Sequence, residues 1–409
     1  MTSLAQLSPQ VRQYILVTGN YWAFTLTDGA LRMLVVLHFH DLGYSPLEIA
    51  LLFLFYEFFG VVTNLTGGWL GARLGLNRTM NLGLLLQVVA LGMLLVPTAL
   101  LTVPWVMAAQ ALSGIAKDLN KMSAKSAIKL LVPKDAEGAL YRWVALLTGS
   151  KNALKGAGFF LGAALLMALG FRGSALAMAA VLALIWLLSM IKLSQDLGRA
   201  KAKPKFTEIL SKSPAVNTLS AARMFLFGAR DVWFVVALPV YLSSVGWDHW
   251  RVGGFLALWV IAYGIVQTLA PRFTRGRHGQ SPDGRSAMLW ALPLALLPAA
   301  IALAMAWGTQ PVTWLVVGLW LFGAVFAVNS SLHSYLIVSY ASEDGVSLDV
   351  GFYYMANAMG RLLGTVLSGW LFQAYGLEFC LWVSALFVAT AALLSVRLPR
   401  HPMPDAGLQ

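Results

Sequence analysis

The sequence predicts an all-α, polytopic membrane protein of about twelve transmembrane helices, arranged as two six-helix pseudo-symmetric bundles. Three observations predict it: an extreme apolar composition, the recurrence of span-length apolar runs, and a similarity between the two halves of the chain. Of 409 residues, 59% are hydrophobic and only 11% charged, against about 25% charged in ordinary soluble proteins. With a mean hydropathy of +0.72, the chain has too little polar surface to coat a water-facing globule. That excludes a cytosolic enzyme, a nucleic-acid binder and a secreted disulfide scaffold. The net charge of +12 reads as loop charge of the positive-inside kind. Cys380 is the single cysteine, so the chain can form neither an intramolecular disulfide nor a multi-thiolate metal site.

A helical span needs about 20 mostly apolar residues. Such runs fall near residues 14–39, 46–72, 79–97, 104–129, 139–169, 173–192, 214–244, 250–271, 287–308, 312–340, 346–374 and 378–396. Ser45–Pro46, Pro97, Pro104, Pro133, Gly246 and Pro311 punctuate their edges. The opening residues lack the basic region and short apolar run of a cleavable signal peptide. If the N-terminus is cytoplasmic, the inner loops hold Arg73, Arg78, Lys134, Arg142, Arg199, Lys201, Lys203, Lys205, Lys212, Arg272, Arg275, Arg277 and Arg285. The outer loops then hold little beyond Arg172 and Arg251. The expectation is a multi-pass protein of the cell inner (plasma) membrane with both termini cytoplasmic.

The polar stretch from Leu193 to Ser213 splits the spans six and six. It divides the chain into an N-terminal bundle (1–192), a cytoplasmic linker (193–213) and a C-terminal bundle (214–409). VVLHFHDLGYSP (35–46) resembles VVALPVYLSSVGWD (235–248). The stretch from Leu147 aligns with the stretch from Tyr353 at a constant offset of 206, matching Lys155 with Arg361, Gly158 with Gly364 and Gly170 with Gly376. Two such repeats are the major facilitator architecture, with its site at the interface near the bilayer midplane. The loop after the second span, GGWLGARLGLNR (Gly67 to Arg78), resembles the G-x-L-[AGS]-D-[RK]-x-G-R-[RK] motif of that superfamily. Ala72 stands where the family usually has Asp, and Leu76 where it has Arg.

Charges inside spans are the informative residues, because a helix-centre Arg or Lys costs about +2.5 to +3.5 kcal/mol on insertion scales. Near mid-depth fall Asp28 and Arg32; Lys117, Asp118 and Lys121; Lys151 and Lys155; Arg230 and Asp231; and Arg361. The basic groups outnumber the acids, and a multiply charged anionic substrate is the simplest partner. The expected substrate-binding set is Arg32, Lys117, Lys121, Lys151, Lys155, Arg230, Asn357 and Arg361, with Asp28, Asp118 and Asp231 as counter-ion or coupling groups. Lys117, Lys121, Lys125 and Lys129 recur every four residues on one helix face. Lys155 and Arg361 are expected to face each other across the cleft. A forked guanidinium suits tetrahedral oxyanions and carboxylates.

Plainer readings stand beside these. Asp28 and Arg32, four apart, can neutralise each other. Arg230 and Asp231 point about 100° apart and are not expected to meet one partner. Lys125 and Lys129 read as rim cations, and Arg223 as snorkelling to the inner interface. Glu57 and His333 read as lone titratable groups. Tyr353, Tyr354, Asn329 and Asn357 can bond ligand oxygens or hold helices together. No catalytic cluster, phosphate loop, metal set or cofactor motif is present.

NYWAFTLTDGALRMLVVLHFH (20–40), LSGIAKDLNKMSAKSAIKLL (112–131), LTGSKNALKGAGFFLG (147–162) and FGARDVWFVVALPVYL (227–242) resemble the organoarsenical efflux permeases of that superfamily, the ArsJ family. The resemblance implies export of 1-arseno-3-phosphoglycerate, made by a glyceraldehyde-3-phosphate dehydrogenase when arsenate replaces phosphate, and hence arsenate resistance. The residues agree on charge, since that ester carries two tetrahedral oxyanions. They agree on redox chemistry too, since one cysteine offers no thiolate cage for trivalent arsenic. The alternatives are an organophosphate/phosphate exchanger, a proton-coupled organic-anion exporter or, from another class, a membrane-embedded enzyme or receptor.

Overall fold

The computed structural model describes residues 9–44, 52–131, 137–193, 197–200, 213–247, 249–274 and 281–400. Among them the regular structure is helical: Pro9–Asp41 (α1), Leu54–Leu74 (α2), Leu76–Met93 (α3), Val103–Leu131 (α4), Glu137–Lys192 (α5), Pro214–Phe234 (α6), Ala237–Ser244 (α7), His249–Thr274 (α8), Gly284–Trp307 (α9), Pro311–Tyr340 (α10), Val346–Tyr375 (α11) and Leu377–Ser395 (α12). Helices are what a bilayer demands, since each backbone N–H must find a carbonyl within its own span. The inner-loop cations Lys134, Lys201, Lys203, Lys205, Lys212, Arg275 and Arg277 lie outside the described residues.

Two departures from one helix per span have local causes. α5 makes two crossings and reverses at Gly170, where φ is 68° and ψ is 178°. Its repeat-mate Gly376 separates α11 from α12 with φ 82° and ψ −178°. The aligned glycines therefore make the same left-handed turn, which a side chain would strain. The span expected over 214–244 is broken between α6 and α7. Pro239 has no N–H for the Val235 carbonyl and its ring crowds that oxygen. The freed N–H of Ala237 donates instead to Ser368 Oγ at 3.0 Å. With these adjustments the helices make the twelve crossings expected.

Charge is distributed by crossing. The second arm of α5, α9 and α12 carry charged residues only at their ends, whereas charges away from the ends occur on α1, α4, the first arm of α5, α6 and α11, and Glu57 lies in the first described turn of α2. The first group can face lipid; the second must turn inward.

The packing shows how the halves meet. One core cluster mixes residues of both halves, including Tyr14, Tyr141 and Leu147 with Val216, Tyr335 and Tyr353. A second draws only on the C-terminal half and a third only on the N-terminal half. The shared cluster lies at the start of α1, α5, α6 and α11 and the end of α4 and α10, which is the face bearing the chain termini. The halves are thus joined on the terminal face and separate toward the opposite one. Close helix crossings hold that seam. A Cβ on Gly351 of α11 would lie 2.6 Å from the Asn64 carbonyl of α2, and one on Gly264 of α8 would lie 2.6 Å from the Gly149 carbonyl of α5. Ser347 Oγ donates to the Gly68 carbonyl at 2.7 Å, and Tyr141 shares a 2.7 Å hydrogen bond with Thr274. Lys129 donates to the carbonyls of Ser339 and Ala341 at the end of α10, where a cation suits the helix dipole. The described part of the linker lies against the α2–α3 turn, Leu76 N–H donating to Leu197 O and Ala200 N–H to Ala72 O, both at 2.8 Å.

Overpacking one of these crossings will pry the terminal face open. Gly351→Leu is expected to cost about 1–3 kcal/mol in the closed arrangement. A cysteine placed at Ala341, 3% exposed in the native packing, is expected to react at least tenfold faster with a maleimide in that background. Equal labelling rates would show that this crossing does not hold the seam.

Candidate functional site

Where the halves begin to part, a chain of charges crosses between them. Glu57 on α2 takes Arg32 of α1 at 3.7 Å and Arg361 of α11 at 3.5 Å on the same carboxylate oxygen. Arg361 Nε also donates to Asp231 of α6 at 3.1 Å. The other oxygen of Asp231 takes Arg230 Nε at 2.6 Å. The run Arg32–Glu57–Arg361–Asp231–Arg230 therefore links four helices and both halves. Asp231 is fully buried, while the side chains of Arg32, Glu57 and Arg361 remain 31%, 32% and 34% exposed. This run lies across the seam as a partly exposed floor between the halves.

Two further groups stand in the N-terminal half. Asp28 lies 3.9 Å from Lys155 and accepts a hydrogen bond from Tyr56 at 2.7 Å. The Tyr56 ring also lies beneath Lys117, 3.8 Å from its ammonium, and 5.5 Å from the Arg32 guanidinium. Asp118 pairs with Lys121 at 2.6 Å and Lys117 at 3.7 Å. Aromatic faces add negative potential beside the carboxylates. Arg230 has the rings of Phe227, Phe234 and Phe326 within 5.7 Å.

Several expectations need correction. The acids match more of the cations than composition suggests: Arg32, Lys117, Lys121, Lys155, Arg230 and Arg361 each have a carboxylate within 4 Å. Asp28 and Arg32 do not neutralise each other; each meets a different helix. Arg230 also folds its long guanidinium stem back onto Asp231 itself, although the Cβ directions diverge. Glu57 is no lone group but a tie between two arginines. Lys125 is not at the rim: it is 3% exposed and donates to Thr148 Oγ1 at 2.7 Å. Arg223 does not snorkel. It is buried, donating to Asn357 Oδ1 at 2.9 Å and the Ser330 carbonyl at 3.2 Å, over the Phe227 ring. Asn357 thereby spends its carbonyl oxygen on Arg223. Lys155 and Arg361 come from opposite halves but each turns to a carboxylate. Lys151 has no carboxylate within ion-pair distance among the described residues. Tyr56 was not foreseen, since an aromatic in an apolar run carries no signal of its hydroxyl partner.

A family model described as Major Facilitator Superfamily matches residues 17–308. A curated relative, the transcription regulatory protein OpdE of Pseudomonas aeruginosa strain PAO1, is 27% identical over 288 residues, covering 69% of this chain and 68% of that protein. Among solved structures, the human organic anion transporter MFSD10 (TETRAN) superposes with a TM-score of 0.76 at 16% identity, covering 95% of this chain and 100% of that one. A bacterial homologue of the iron transporter ferroportin in an outward-facing state gives 0.74 at 16% identity, covering 96% and 99%. A variant of the E. coli fucose:proton symporter FucP gives 0.71 at 13% identity, covering 94% and 99%. At such identities these likenesses establish the fold.

The Glu57–Arg361 tie predicts a measurable coupling. In a double-mutant cycle, Glu57→Gln and Arg361→Gln are each expected to lower thermal stability, and the pair together by less than their sum. For a pair about a third exposed, the coupling is expected at about 1 kcal/mol. Strict additivity in thermal unfolding would remove the tie from the energetics of the seam.

Proposed function

The chain belongs to the Major Facilitator Superfamily, and we propose that this member exports a small organic anion bearing two oxyanion groups, 1-arseno-3-phosphoglycerate, and so confers resistance to arsenate. As a transporter of that superfamily it moves a small solute across the bilayer and is not an enzyme. One observation carries the choice of an anion. Among the described residues of the central zone, nine cations (Arg32, Lys117, Lys121, Lys125, Lys151, Lys155, Arg223, Arg230, Arg361) stand against four carboxylates (Asp28, Glu57, Asp118, Asp231). Pairing shares the acids out but leaves the excess, and excess charge in a low-dielectric zone is costly until a mobile anion offsets it.

In this reading the two bundles, 1–192 and 214–409, rock against each other in alternating access. Arg32, Lys117, Lys155, Arg230 and Arg361 engage the oxyanions, and Lys121 and Lys151 lie toward the closed face. Asp28, Asp118 and Asp231, with Glu57, hold the cations when the carrier is empty. Both termini are cytoplasmic in the cell inner membrane, so the described arrangement faces outward. A potential negative inside drives an anion out by about 2.3 kcal/mol per charge per 100 mV, and export needs no coupled proton. A glyceraldehyde-3-phosphate dehydrogenase supplies the cargo. The local resemblance to organoarsenical permeases along residues 20–40, 112–131, 147–162 and 227–242 supports the arsenical ester over other organophosphates.

In everted vesicles, Lys155→Ala and Arg361→Ala are each expected to cut uptake of the ester by at least about tenfold, with uptake following the membrane potential. Full uptake by both variants would overturn the assignment, and a requirement for phosphate on the opposite side would favour an exchanger. In arsenate-sensitive cells, the chain is expected to raise arsenate tolerance only when the dehydrogenase is co-expressed. Tolerance unchanged under both conditions would remove the arsenical cargo.

A further inference from the structure

The central cations fall into two classes. Six have carboxylate partners; Lys125, Lys151 and Arg223 have none within ion-pair distance among the described residues. Arg223 is met by neutral oxygens. Lys125 has Thr148 as its hydrogen-bond acceptor, and Thr148 and Lys151 stand three apart on α5, about 5–6 Å from each other on one helix face. The leading charges acting on Lys125 are those of Lys151, Arg223 and Lys121, all positive. Those acting on Lys151 are Lys121, Lys155, Arg361 and Lys117, again all positive. Opposite them, from the other half, stands Tyr354 of α11, its ring centroid 4.7 Å from the Lys121 ammonium and 5.1 Å from that of Lys125. Tyr354 is 3% exposed, yet its hydroxyl, beside Ser334, makes no hydrogen bond of normal geometry. The Tyr354 hydroxyl is thus a buried donor left unmatched, which is costly, and it stands on the side of α4 where Lys125 has only a neutral acceptor.

We infer that Lys125, Lys151 and Tyr354 form a second oxyanion subsite, on the closed side of the Glu57–Arg361 tie, for a phosphate-like group. The inference rests on the anionic-cargo reading and deepens it. Lys151 precedes Lys155 by one turn on α5, and Lys125 follows Lys117 by two turns on α4, both toward the closed face. At 1.5 Å per residue the offset is about 6–12 Å, on the order of a three-carbon chain with an oxyanion ester at each end. The floor would take one end of such a molecule and the subsite the other. A free inorganic oxyanion offers the same chemistry.

The test is thermal-shift titration of the purified full chain with inorganic phosphate and with 3-phosphoglycerate, each against sodium chloride of equal ionic strength. Lys151→Gln is expected to weaken the apparent Kd at least tenfold and Tyr354→Phe several-fold, with Lys151→Arg restoring most of the loss. Tyr354→Phe removes only a hydroxyl and keeps the test alive if the lysine variant fails to fold. Loss of phosphate binding through Lys151 assigns a free ion to the subsite; loss confined to 3-phosphoglycerate assigns one end of the cargo. If Lys151→Gln and Tyr354→Phe bind both probes as the wild type does while Arg361→Gln does not, the subsite is overturned and the anionic cargo stands. If neither probe binds the wild type, both readings fall.

Discussion

Charge held in a medium that cannot screen it is the constraint on which the rest of this structure turns. A lysine or arginine near mid-membrane is tolerated only when something close by answers its field. Here the answers are of three kinds: carboxylates shared between cations, aromatic faces, and neutral oxygens. Asp231 serves two arginines and Asp118 two lysines, while Tyr56 presents its ring to Lys117 and its hydroxyl to Asp28. Asp118 and its two lysines share α4, whereas the Asp231 and Tyr56 arrangements draw side chains from more than one helix, so the electrostatics help fix which helix faces turn inward. The apolar crossings α9, α12 and the second arm of α5 are released from that task and form the outer packing.

The same constraint explains why so much of the fold was legible from the residues and so little of the pairing. Span length follows from bilayer thickness, and Gly170 and Gly376 could be matched by register because both make the same turn at the same place in each repeat. Mid-span charges could be listed because apolar runs make them conspicuous. Which charge meets which depends on how helices are rotated and set against each other across the two halves, and no local pattern encodes that. Glu57 reads as solitary because its partners are 25 residues upstream and 304 residues downstream in the numbering. Lys125 and Arg223 read as peripheral when depth is counted along a single helix, whereas their burial comes from the seam between halves. The break between α6 and α7 did carry a signal, Pro239, which the apolar character of the span concealed.

The seam itself combines two kinds of contact with different sensitivities. Glycine crossings at Gly351 and Gly264 depend on shape and tolerate no added carbon. Hydrogen bonds such as Ser347 to Gly68 and Tyr141 to Thr274 are directional and break without residue when the halves move apart. Lys129, reaching from α4 to the end of α10, gives the terminal face a charge-assisted contact although Ala72 removes the acid that the α2–α3 loop motif usually offers. Closure on this face is thus distributed over many weak contacts.

For the anionic cargo proposed, a carboxylate tethered between two arginines would also act as a filter. A monovalent ion that pushes Glu57 aside exchanges one negative charge for another, and gives up the covalent anchoring that kept the first in place. A polyanion brings more charge than it displaces and gains from the trade. On the proposed reading, the central zone would thereby keep its surplus of positive charge from filling with chloride and reserve that attraction for a passenger of higher valence.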